Sequence, residues 1–245
     1  MKLSVYHTPE EVPNGAMPEC AIAIDVLRAT STMAAALNAG AAAIHVFSDL
    51  DLLRQASEQY PTGQRLLAGE RGGAPVDGFD LGNSPLDHTV ERSHGRHLFM
   101  STTNGTRCLQ RIQSAPMVIT AALTTRQAVV DFLLKHEPEQ VWLVGSGWEG
   151  TYSLEDTVCA GAIAHQLAHQ QSRDLKELAG NDATFAAVSL YQQWQDSLLE
   201  LMCCASHGQR LLRLSQEEDL KYCAQLDVLN LIPIQSEPGI LVLKP

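Results

Sequence analysis

The chain has 245 residues, of which 45% are hydrophobic, 18% charged and 5% aromatic, with a formal net charge of −11. That is enough for one sizeable core and argues against disorder; the acidic balance, with no basic run of five or more residues, argues against binding to nucleic acid or to an anionic membrane surface. No stretch reaches the roughly 20 apolar residues that span a bilayer, and residues 1–6 read as a strand without the apolar core of a signal peptide, so a cytoplasmic location is expected.

Short apolar runs alternate with helix-like segments over the first two thirds. Residues 21–24 read as a buried strand, followed by a helix over 31–38 that ends at Gly40. A strand over 43–47, a helix over 49–59 and a strand over 65–68 come next, before a long irregular segment from 69 to 85. Further strands are expected at 98–101, 117–120 and 141–144, and helices at 106–113, 124–136 and 154–170. Continuous apolar strands separated by helices predict a largely parallel sheet with helices on both faces, an α/β class.

The last third changes character. Residues 182–205 read as mostly helical, capped by Asn181 or Asp182, and Ser215-Gln216-Glu217-Glu218 has the spacing of a capping box. Two apolar runs, 231–234 and 240–243, flank Pro238-Gly239 and predict a hairpin that joins the sheet or forms part of a lid. No repeat or long linker divides the chain, so residues 1–245 are expected to form one domain, with 181–225 as a possible smaller helical lid. The six cysteines, at 20, 108, 159, 203, 204 and 223, contain no Cys-x-x-Cys pair and read as free thiols in a reducing compartment.

Ligands of parallel α/β sheets bind beyond the carboxyl ends of the strands, and those ends are chemically rich here. The first buried strand runs into Asp25 and Arg28, the third into Glu70 and Arg71 within a glycine run ending at Gly73. The strand at 98–101 opens through Thr102, Thr103, Asn104, Gly105 and Thr106 into a helix, a pattern that presents backbone N–H groups and hydroxyls to an anion. The strand at 141–144 ends in Gly145-Ser146-Gly147-Trp148-Glu149, with Glu155 and Asp156 opening the next helix. Each residue also has a plain structural reading: Asp25 as a helix cap, Arg28 and Arg71 as surface ion-pair partners, Glu155 and Asp156 as dipole partners of a helix start. Their coincidence on several loops points to phosphate chemistry, with carboxylates for a hard cation and guanidiniums for phosphate oxygens. His207, between two helical stretches and followed by Arg210, is a candidate clamp or general acid in a loop over the rim.

The Asp-x-Asp of haloacid-dehalogenase-type phosphatases is absent, since Leu27 stands two residues after Asp25; no Gly-x4-Gly-Lys-Ser/Thr loop exists either. Cys204 to Arg210 matches the Cys-x5-Arg spacing of cysteine phosphatases, though Gly208 sits one place late.

Asp25-Val26-Leu27-Arg28-Ala29-Thr30, Gly78-Phe79-Asp80-Leu81-Gly82-Asn83-Ser84-Pro85 and Thr102-Thr103-Asn104-Gly105-Thr106 together resemble the 2-phosphosulfolactate phosphatase family. Gly69 to Gly73, Gly145 to Gly150 with Glu155-Asp156, and Ser206-His207-Gly208 match as well, in order over most of the chain. The resemblance implies a Mg2+-dependent acid phosphatase with a three-layer α/β/α fold, cleaving (2R)-2-phospho-3-sulfolactate to (2R)-3-sulfolactate and phosphate in coenzyme M biosynthesis. On chemical grounds Asp25, Glu70, Glu155 and Asp156 are candidate Mg2+ ligands, and Asp25, Arg28, Glu70 and His207 candidate catalytic groups. Arg71, the loop Thr102, Thr103, Asn104, Gly105 and Thr106, and Arg210 are candidate binders of a small anionic phosphorylated substrate, with Arg107 beside them. Attack by an Asp25 carboxylate and by a metal-bound water both remain open, as do a cysteine phosphatase using Cys204 and Arg210 and a non-catalytic sensor of a phosphorylated acid. An alanine-rich surface of low charge would tolerate a homodimer.

Overall fold

A computed structural model of the chain describes residues 1–72 and 74–243; Gly73, which belongs to the predicted glycine loop, lies outside the described residues. The strands are β1 (Lys2–Tyr6), β2 (Cys20–Ile24), β3 (Ala43–Val46), β4 (Arg65–Arg71), β5 (Ala74–Pro75), β6 (His97–Ser101), β7 (Met117–Ala121), β8 (Gln140–Gly145), β9 (Pro233–Glu237) and β10 (Ile240–Leu243). The helices are α1 (Ala29–Asn38), α2 (Leu50–Ser57), α3 (Val90–Ser93), α4 (Gly105–Ile112), α5 (Arg126–His136), α6 (Leu154–Gln170), α7 (Leu175–Leu178), α8 (Asp182–Trp194), α9 (Leu198–Cys204), α10 (Ser206–Arg213) and α11 (Glu217–Cys223).

The strands form one mixed sheet in the order β1-β8-β2-β7-β9-β10-β3-β6-β4-β5. Two parallel blocks, β1-β8-β2-β7 and β3-β6-β4, are joined by the antiparallel β9–β10 hairpin. The predicted hairpin therefore completes the sheet at its middle. It is needed there because each parallel block would otherwise present an unpaired edge of backbone N–H and C=O groups.

Strand side chains alternate between two cores. In β2, Cys20, Ile22 and Ile24 enter a cluster with Val158, Ile163 and Leu167 of α6, while Ala21 and Ala23 face a second cluster with Met33 and Leu37 of α1 and Cys108 and Ile112 of α4. The alanines matter: a small side chain on that face lets α1 and α4 pack close to the strand that carries Asp25. Helices thus cover both faces, and the expected α/β architecture holds with a mixed sheet.

The helices over 182–223 have no core of their own. Ala187, Tyr191, Leu201, Met202, Leu211, Leu220 and Cys223 all join the first cluster. Asn181 caps α8 as expected, accepting from Thr184 N at 3.2 Å. The capping box expected at 215–218 does not form. Ser215 instead ends α10 in the left-handed region, φ 57°, with its N–H donating to Leu212 O and that of Gln216 to Leu211 O. That is a Schellman stop, and it leaves the serine side chain unable to cap α11, which begins at Glu217 without a side-chain cap. Gly208 lets α10 lie against α9, since a Cβ there would stand 1.7 Å from Met202 O. Among the described residues no helix is long and apolar enough to cross a membrane.

Candidate active site

Asp25 follows β2 directly and is buried. Its Oδ1 accepts from Ala29 N at 3.1 Å, so it does cap the start of α1, and its backbone carbonyl accepts from both Thr30 N and Thr30 Oγ1. The other oxygen, Oδ2, faces the first turn of α4, where a Cβ on Gly105 would stand 2.8 Å from it. Only glycine leaves room for the carboxylate beside that helix start.

Arg28 is not at the surface. It is 2% exposed and makes an ion pair with Asp219 of α11, also buried; Asp219 Oδ1 accepts from Ser84 Oγ at 2.6 Å. Arg28 Nε is buried with no partner among the described residues. The Leu27–Arg28 peptide is cis.

Glu70, at the end of β4, is buried and receives both Thr103 N and Thr103 Oγ1 at 2.9 Å, which ties the β4 loop to the β6 loop. Arg71 turns back on its own surroundings, donating to Glu70 O at 2.8 Å and Ser101 Oγ at 2.9 Å. Thr102 and Thr106 close a ring, the N–H of Thr106 donating to Thr102 Oγ1 at 3.2 Å and the N–H of Thr102 to Thr106 Oγ1 at 3.1 Å. Their hydroxyls brace the loop, and Asn104 stands at the helix cap position without a side-chain cap bond. The amides of Gly105 and Arg107, in the first turn of α4, have no acceptor among the described residues and point as helix-start amides do. Arg107 itself pairs with Glu10 at 3.3 Å.

The loop after β8 meets the loop after β2 through Asp156. Its Oδ1 accepts from Val26 N at 2.9 Å, and its Oδ2 from Ser146 N at 3.1 Å and Gly147 N at 3.3 Å. Ser153 caps α6, accepting from Asp156 N at 3.3 Å. Glu155 is buried beside it and faces His207, Oε1 lying 3.8 Å from Nδ1. His207 belongs to the first turn of α10, not to a loop, and stacks on Trp148 with ring centroids 3.9 Å apart. Arg210, one turn further, donates through Nε and Nη2 to Gly72 O at 3.2 and 3.0 Å. Cys204 is exposed at the end of α9, so no strand-to-helix cradle forms around it.

The electrostatics follow from burial. Asp25 is pushed up to about 7 by desolvation, with the negative charges of Glu70 and Glu155 adding to it against the Ala29 N–H and Arg28. Burial also raises Glu155, and it raises Asp156 well above the ordinary range with help from Asp25 and Glu155. His207 is driven down to about 3, by burial first and then by Arg28, so its imidazole is neutral at pH 7. Among the described residues the buried carboxylates are Asp25, Glu70, Glu155, Asp156 and Asp219, against Arg28 as the one buried guanidinium or ammonium. No group of three or more His, Cys, Asp or Glu among the described residues forms a ready metal cage.

Folding therefore gathers the predicted residues at one end of the sheet, with Arg71 turned onto the backbone and Arg210 at the margin. Asp219 and Trp148 escaped the sequence reading as functional partners. Trp148 lay inside a loop already singled out, but Asp219 has no local signal: it sits in an acidic helix start 191 positions from Arg28.

Residues 6–238 match the family model described as 2-phosphosulpholactate phosphatase. The chain is 62% identical over 241 residues to a probable 2-phosphosulfolactate phosphatase of Nostoc punctiforme, covering 98% of each chain. It is 60% identical over 244 residues to one of Trichormus variabilis, covering 100% of each, and 60% identical over 241 residues to one of Thermosynechococcus vestitus, covering 98% of this chain and 99% of that one.

Proposed function

The chain belongs to the 2-phosphosulfolactate phosphatase family, and from that premise we propose that it is a Mg2+-dependent phosphatase releasing inorganic phosphate and (2R)-3-sulfolactate from (2R)-2-phospho-3-sulfolactate. The observation that carries the reading is the buried charge at the sheet end: five carboxylates around one arginine, which is itself paired. Negative charge buried in excess of the one arginine is costly, and a cation held among the carboxylates would offset it. Mg2+ needs only one or two carboxylates, completed by waters and phosphate oxygens, so a ready cage is not required.

Asp25 and Glu155, with Glu70 beside them, have the hard oxygens to hold that ion. Asp156 serves instead as a brace, because backbone N–H groups from two loops occupy both its oxygens. When bound, Mg2+ supplies charge neutralisation on the transferring phosphoryl group. The amides of Gly105 and Arg107 and the α4 dipole receive phosphate oxygens. Arg28, oriented by Asp219, puts a fixed positive charge behind the site, where burial strengthens it. His207, neutral and flat against Trp148, acts as a hydrogen-bonding wall for the alcohol side of the ester. Phosphate release from (2R)-2-phospho-3-sulfolactate, measured with Mg2+ and with EDTA, tests the reading. Release only with Mg2+ supports it, and no release in either condition refutes it.

A further inference from the structure

A cleft carrying two arginines adjoins the carboxylate cluster, and those arginines have no part in the phosphate chemistry above. It has a volume of about 540 Å3 and is lined by Gly72, Trp148, Ser206, Arg210 and Arg213, with Glu149 among its walls. A smaller recess of about 150 Å3 shares Trp148 and Ser206 with it and reaches Glu155 and His207. The cleft thus runs from the proposed metal-holding carboxylates outward along α10. On its other side Gly72 lies two residues beyond Glu70.

Two guanidiniums line one cleft of a chain whose formal net charge is −11. Arg210 and Arg213 are three residues apart on α10, so they share a helix face. Arg210 is held in place by Gly72 O, whereas Arg213 is exposed and makes no ion pair among the described residues. Trp148, held flat by its stacking on His207, gives the cleft an apolar wall, and Ser206 adds a hydroxyl.

We propose that this cleft is the specificity subsite for the sulfonate of the substrate, with Arg213 as its principal donor and Arg210 as its fixed partner; the proposal rests on the phosphatase reading above. A planar carboxylate is satisfied by one guanidinium fork. A tetrahedral sulfonate presents three oxygens and is served by donors from several groups, as two arginines one turn apart and a hydroxyl provide. A guanidinium is also weakly hydrated, which suits a strongly acidic, always-charged group.

The test compares (2R)-2-phospho-3-sulfolactate with 2-phospholactate, which lacks only the sulfonate. Arg213→Gln is expected to lower kcat/KM for the sulfonated ester at least about tenfold more than for 2-phospholactate, mainly through KM. Equal losses on both esters, or no loss on either, overturn the subsite. A thermal-shift titration with 3-sulfolactate against lactate reads the same site without turnover. Sulfolactate should stabilise the wild type and not Arg213→Gln, and an equal response of the two proteins overturns the subsite even where phosphate release stands. Sulfolactate binding that depends on Arg213, in a wild type that cleaves neither ester, supports the subsite and overturns the phosphatase reading.

Discussion

Asp25 and Gly105 are in contact across two loops: a methyl group on residue 105 would stand 2.8 Å from Asp25 Oδ2 and 2.6 Å from the Ala29 Cβ. The carboxylate and the start of α4 therefore share a space that only a glycine permits. Gly105→Ala should displace one of them and lower phosphate release at least about tenfold, equivalent to about 1.4 kcal/mol in the barrier. Asp25→Asn keeps the volume and removes the charge, so it should lower release as much while leaving the circular dichroism spectrum unchanged. Wild-type rates from both variants would show that the contact is structural only.

Arg28 and Asp219 form a buried ion pair, and removing one partner leaves a lone buried charge. Asp219→Ala should cost about 3–5 kcal/mol of stability. Ser84→Ala removes a hydrogen bond to the same carboxylate and should cost about 1.5–3 kcal/mol. Urea unfolding measures both, and a surface-like loss below about 1 kcal/mol for Asp219→Ala contradicts the burial argument.

The contribution of His45 and His88 to stability should fall as the pH drops below about 6.5, against the opposite contribution of the raised carboxyls of Asp25, Glu155 and Asp156. Burial pushes His45 down to about 4, with His97 adding to it, and His88 down to about 4, with Arg92 adding to it. The unfolded chain then binds protons near 6.5 that the folded chain refuses until about 4, so the stabilisation is complete above 6.5 and is lost across that window. The urea midpoint at pH 5, taken relative to that at pH 7, should be higher in His88→Gln than in the wild type, because the variant lacks the His88 loss. An unchanged difference would place the acid sensitivity elsewhere.

EDTA should abolish turnover and added Mg2+ should restore it, and Mg2+ should raise the melting temperature by relieving repulsion among Asp25, Glu70 and Glu155. Cys204→Ser should keep its rate, because that thiol is exposed at the end of α9 and no phosphate cradle surrounds it. EDTA-resistant turnover lost in Cys204→Ser would favour the cysteine mechanism.

Local signals were sufficient where the physics is local. The apolar run 20–24 is a strand because both of its faces are buried, and Asn181 caps a helix because its side chain reaches an amide three residues on. The 215–218 pattern failed for a reason of the same kind seen from the other side. Ser215 was claimed first by the end of α10, a competition that the four-residue motif does not contain.

The amino-acid order by itself determined which side chains stand at the strand ends: Asp25, Glu70, the Thr102–Thr106 loop, Glu155 and Asp156. Short continuous apolar runs that end in polar or glycine-marked loops make those positions readable one by one. Only the tertiary structure decided what each one does there. Arg28 turned inward because Asp219 arrives from 191 residues away, Asp156 became a brace because two loops offer it their amides, and Arg71 bonded to the Glu70 carbonyl. Roles of charged groups depend on distance and desolvation, and both are properties of the folded neighbourhood rather than of the sequence alone.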